Sequence, residues 1–98
     1  MKSDYIIGKM SKEQNVVSVS YDEDGLFIMT DTAKESRAEE LLDMLVSFAD
    51  FEGDQFHFGI KTLEQLYPND GLNEQTGRCY AVYAMPLEKY KERNNGSN

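Results

Sequence analysis

The sequence predicts an α+β fold: a small antiparallel or mixed sheet of about four to five strands, in the order β-β-β-α-β-(α)-β, with one main helix packed on one face. Three observations predict it. An Asp24-Gly25 turn separates two runs of alternating apolar residues, a helical apolar repeat runs from Ala38 to Ala49, and two further strand-like runs follow.

Taken in order, Tyr5, Ile6 and Ile7 read as a short apolar strand, and residues 11–15 as a polar connection. Residues 16–22 alternate, which puts Val17, Val19 and Tyr21 on one face. Asp-Gly is a strong hairpin signal, because a type I′ turn needs positive φ at both central residues. A two-residue loop at Asp24-Gly25 pairs Glu23 with Leu26, Tyr21 with Ile28 and Val19 with Thr30. Apolar side chains then meet on one face.

The main helix comes next. Thr32 and Glu35 have the spacing of a capping box, in which hydroxyl and carboxylate satisfy free backbone N–H groups. Ala38, Leu41, Leu42, Leu45, Phe48 and Ala49 recur at steps of three and four, and Gly53 is a natural stop. With Met44, Val46 and Phe51 the apolar arc widens to about 220°, well beyond the ~100° needed to cover a sheet face. Either a second element covers the excess or a partner does.

Residues 55–61 alternate Phe56, Phe58 and Ile60 with His57 and Gly59, as a strand would. Residues 62–67 form a short helix facing Leu63, Leu66 and Tyr67 inward, ended by Pro68, and a polar loop runs to Gly77. Residues 78–85 are apolar on both faces, which assigns them the centre of the sheet. Pro86 opens a short helix through Tyr90. The chain reads as a single domain over residues 1–93 with a disordered tail at 94–98.

Composition narrows the function classes. The 98 residues carry a net charge of −8, and the charge is unevenly spread. Residues 22–54 contain eleven acids, opposed only by Lys34 and Arg37. The rest of the chain, with seven acids and eight bases, is nearly neutral. One cysteine, Cys79, excludes an internal disulfide and a Cys-rich zinc cluster. No leader-like run occupies residues 1–10 and no membrane-length apolar run follows, so the expectation is a cytoplasmic protein without a membrane partner.

Motifs of catalysis and cofactor binding are sparse. A Cys–His nucleophilic pair would need His57 and Cys79 in contact, whereas lone cysteines are usually buried and His57, flanked by Phe56 and Phe58, is expected to point the other way, toward solvent. Asp22-Glu23-Asp24-Gly25 lacks the third ligand and distal Glu of a calcium loop and reads as a charged hairpin tip. Phe56 and Phe58 lack the glycine and basic positions of RNA-stacking sheets, and net negative charge opposes phosphate. The expectation is therefore a protein that is not an enzyme, with no catalytic residue, metal, cofactor or direct nucleic-acid binding.

What remains is the acid pattern. Glu35, Glu39, Glu40, Asp43 and Asp50 fall opposite Leu41 and Leu45, and the pairs Glu35–Glu39 and Glu39–Asp43 repel. Asp50 also sits at the unfavourable end of the helix dipole. Stability alone does not select this arrangement. The expected function is a small acidic protein-binding module. Asp22, Glu23, Asp24, Glu35, Glu39, Glu40, Asp43 and Asp50 would meet a basic, nucleic-acid-binding partner and inhibit it, as DNA mimics or nuclease immunity proteins do. The alternative is a small-molecule or regulatory domain with a pocket between sheet and helix, lined by Tyr21, Phe58, Tyr80 and Tyr83. Self-association through Met44, Val46 and Phe51 is the third reading.

Overall fold

The computed structural model describes residues 3–50 and 55–96. It is an α+β fold built on a four-stranded antiparallel sheet of order β1-β2-β4-β3. The strands are β1 (Val16–Asp22), β2 (Gly25–Thr30), β3 (Phe56–Thr62) and β4 (Tyr80–Pro86). Two helices, α1 (Ser3–Met10) and α2 (Glu35–Asp50), are joined by the short α3 (Leu63–Leu66) and α4 (Glu74–Gly77) and the terminal α5 (Leu87–Gly96).

The opening segment is a helix, not a strand. Three apolar residues in a row fit both periods, and the deciding pair is Ile6 and Met10, four apart and both fully buried. Asp4 in the first turn and Lys9 in the last complement the helix dipole. Tyr5 meets Phe48 of α2 edge to face at 6.0 Å. Thus α1 covers part of the apolar arc of α2, at Phe48.

The hairpin forms, two residues out of the expected register: Asp22 pairs with Gly25, Tyr21 with Leu26 and Val19 with Ile28. Glu23 and Asp24 make the loop with negative φ, the Asp22 carboxylate accepts from the Asp24 N–H at 2.8 Å, and Gly25 takes φ +119° at the first strand position. A turn followed by a left-handed glycine closes a hairpin as well as a type I′ turn does. Because the side-chain period is two, the slip keeps every residue on its expected face. Val17 is the exception: a bulge between Val16 and Ser18 leaves it 66% exposed, and Val16 packs against the core instead.

Gly25 also lies against the backbone of β4, where a Cβ would collide with the Ala84 carbonyl oxygen. With the positive φ, Gly25→Ala is expected to cost about 2–4 kcal/mol in a urea melt. A cost below about half a kcal/mol would show that the hairpin relaxes freely.

The Thr32–Glu35 capping box does not form. The Thr32 hydroxyl accepts from the Lys34 N–H at 3.1 Å, and its carbonyl is held by the Tyr80 N–H at 3.0 Å. Helix α2 therefore starts at Glu35, its first bonds made to the Lys34 carbonyl by Arg37 and Ala38. A capping box does occur at α3, where Thr62 and Gln65 exchange bonds of 3.2 and 2.9 Å. Gly53, the expected stop of α2, lies outside the described residues. Part of the expected polar loop is the single turn α4, whose Asn73 side chain caps it. Helix α5 (Leu87–Gly96) continues past Tyr90, the end expected for it.

Strand β4 is central, and Ala81 through Met85 are all buried. Leu26, Ile28, Val82 and Ala84 face the main core with Ala38, Leu41, Leu45 and Ala49 of α2 and Ile6 and Met10 of α1. The alternate residues face away from that core. Phe27, Tyr83, Met85 and His57 share this second face, partly covered by α5.

Candidate functional site

The structure splits the eight acidic candidates into two groups. Glu35, Glu39, Glu40 and Asp43 all stand exposed on α2, turned from the buried Ala38, Leu41 and Leu45. Asp22, Glu23 and Asp24 lie at the β1–β2 tip, while α2 packs on β3 and β4. Asp50 ends α2, and its side chain lies outside the described part of the residue.

Local partners distinguish the acids further. Half-buried Arg37 donates to the Gln14 carbonyl at 2.7 Å and sits 3.6 Å from Glu13 and 3.3 Å from Glu40. It ties the α1–β1 connection to α2 and neutralises Glu40 on the way. Asp24 lies 3.6 Å from Arg93 of α5. Among the described residues, no cation forms a salt bridge with Glu35, Glu39 or Asp43. These three form a file along α2, four residues or about 6 Å of helix axis apart.

Among the described residues, the apolar side chains named for self-association are not freely exposed. Met44 packs against the core, Val46 is half-buried and Phe51 lies outside the described residues. Among the described residues, the exposed large apolar side chains are Tyr5, Val17, Tyr21 and Tyr67.

The expected pocket of Tyr21, Phe58, Tyr80 and Tyr83 does not assemble either. Phe58 and Tyr80 pack against the main core, Tyr21 is exposed on the edge strand, and Tyr83 occupies the other face. There Tyr83 stacks with Phe27 at 5.9 Å and neighbours His57 at 5.9 Å. His57 is half-buried rather than solvated, stacked on Tyr90 at 3.7 Å. Burial pushes the Tyr83 phenol above its ordinary 10.0, and Tyr90 adds to the effect. It is therefore a neutral donor at physiological pH. The stability that depends on the neutral phenol is whole below pH 10.0 and is lost as pH rises toward the raised value.

His57 and Cys79 are far apart. His57 pairs with Met85, whereas Cys79 precedes the Thr62–Tyr80 pair, about 17 Å along the ladder. The Cys79 thiol contacts the Gln75 carbonyl at 3.4 Å, so the two residues make no nucleophile–base pair. Among the described residues, no three His, Cys, Asp or Glu side chains converge as metal ligands, and no helix is long and apolar enough to cross a membrane.

The second-face aromatic cluster escapes a purely local reading of the sequence. Its signal is β4, whose apolar Ala81, Tyr83 and Met85 require cover on a second side. Comparison with protein-family models, with curated proteins and with solved structures finds no match.

Proposed function

We propose that the acidic face of α2 is a docking surface for a basic site on a larger, nucleic-acid-binding protein in the cytoplasm, and that docking inhibits that protein. The observation that carries this reading is the file of Glu35, Glu39 and Asp43, exposed and without an opposing salt bridge among the described residues. A face selected only for helix stability would alternate acids with bases at i+4. Because Ala38, Leu41 and Leu45 of α2 are buried and the acids opposite them are exposed, the contact is led by charge. Such contacts accelerate encounter more than they deepen affinity.

Charge spacing bears on nucleic-acid mimicry. Carboxylates about 6 Å apart along the helix axis are sparser than the phosphates of one DNA strand, at roughly one per 3.4 Å of axis. Mimicry would therefore rest on a few phosphate positions.

The experiment is capture of the partner on the immobilised protein, followed by stopped-flow association at rising salt. Between about 10 and 150 mM salt the screening length contracts from ~30 to ~8 Å, and the association rate is expected to fall at least tenfold. Competition by duplex DNA is the outcome expected of mimicry. An association rate indifferent to salt would remove the reading.

The small-molecule reading keeps one supporting observation, a hollow of about 110 Å³ on the second face lined by Phe27, Tyr83 and Tyr90.

A further inference from the structure

Among the described residues, three hollows are edged by carboxylates, in keeping with the net charge of −8. Glu64 and Glu74 line one, Glu13 and Glu40 a second, Asp22 and Asp24 a third. The hollow beside Tyr83 differs. Its charged lining residues are Lys61 of β3 and Arg93 of α5, with no acid among them.

Its floor is aromatic and already ordered. Phe27 and Tyr83, on neighbouring strands, lie nearly parallel at an interplanar angle of 26°, with the buried Met85 beside them. Leu66 of α3 and Tyr90 of α5 form the walls. The Tyr83 ring extends across β3, where a Cβ at Gly59 would strike its hydroxyl. Gly59 thus leaves the room that Tyr83 fills. Tyr83 is only 6% exposed, and its hydroxyl finds no hydrogen-bond partner among the described residues. Buried polar groups without partners are rare, and this one belongs to a residue that lines the hollow.

We infer that this hollow binds a small planar anion, an aromatic ring carrying a carboxylate or a phosphate. The ring would lie against Phe27 and Tyr83, and the acid group would sit between Lys61 and Arg93. The hollow measures about 110 Å³, and the adjoining hollow of about 230 Å³, which shares Phe27, Leu66 and Arg93, is the one edged by Asp22 and Asp24. An enclosed apolar cavity of about 150 Å³ holds benzene, so this hollow seats part of one ring and leaves the acid group at its rim, by the exposed Lys61 and Arg93. Arg93 is free to respond: its contact with Asp24 is long at 3.6 Å, its side chain is 61% exposed, and guanidinium has five donors to share.

The test is titration of the whole protein with phenyl phosphate, benzoate and the neutral benzyl alcohol, followed by amide chemical shifts. At least one anion is expected to saturate below about 10 mM, shifting Phe27, Tyr83 and Tyr90, with benzyl alcohol at least tenfold weaker. Preference between the two anions tells a phosphate ligand from a carboxylate. The double variant Lys61→Gln, Arg93→Gln is expected to weaken binding at least tenfold with an unchanged melting temperature, since both side chains are exposed. Tyr83→Phe, which keeps the ring and removes the hydroxyl, is expected to weaken it several-fold. Failure of both anions to saturate, equal binding of benzyl alcohol, or shifts gathered around Lys34 and Arg37 instead would overturn the inference.

Discussion

Leu41→Ala or Leu45→Ala is expected to lower the unfolding free energy by about 2–5 kcal/mol, the range for emptying a buried leucine site. Both side chains are fully buried and face Val82 and Ala84 on the central strand. Domains of this size hold only about 5–15 kcal/mol in total, so either change removes a large share of the stability. The reading is a urea midpoint shifted down by roughly 1 M or more, given slopes of about 1–3 kcal/mol/M. Val46→Ala, at a half-buried site on the same helix, should cost clearly less. Equal costs at Leu45 and Val46 would mean that α2 is rotated from the orientation described.

That orientation was legible because α2 repeats its apolar residues over four turns, long enough for the helical period to be unambiguous. The hairpin was legible for a similar reason, since turn residues and alternation agree on both sides. Its exact register was not. Asp24-Gly25 serves a type I′ turn, with both residues in the loop, and equally a turn that leaves Gly25 on the strand. Only the approach of Gly25 to Ala84 on β4 separates the two, and that contact joins residues far apart in sequence.

Helix α1 shows the other limit. Tyr5, Ile6 and Ile7 say nothing of period by themselves, and what makes them helical is the apolar arc of α2 that they cover. The excess width of that arc was the available clue, and it asked for a second element without naming one. On the acidic face, exposure followed from i, i+4 spacing alone. The difference between Glu40 and its neighbours did not. It depends on Arg37 reaching the Gln14 carbonyl, a bond set by where α1 packs. The hollow beside Tyr83 was out of reach for the same reason: Lys61, Tyr83 and Arg93 meet only after the chain turns back at Pro86.

The exposed file gives the second large effect. Reversal of Glu35, Glu39 and Asp43 to Lys is expected to abolish partner binding, while Glu40 is spared because it pairs with Arg37. Folding should hold. The three positions are exposed, and repulsion among acids is exchanged for repulsion among lysines, each i, i+4 pair being worth a few tenths of a kcal/mol. Stability should therefore change by less than about 1 kcal/mol. The neutral set Glu35→Gln, Glu39→Gln, Asp43→Asn should weaken binding partway, mainly through a slower association rate. The most direct measurement of the central claim is the affinity of the reversed variant for the captured partner at about 10 mM salt, where screening is weakest. A loss of at least a hundredfold, about 2.7 kcal/mol, is predicted. Binding as tight as that of the unaltered protein would contradict the account and leave the acidic face of α2 as a solvated surface only.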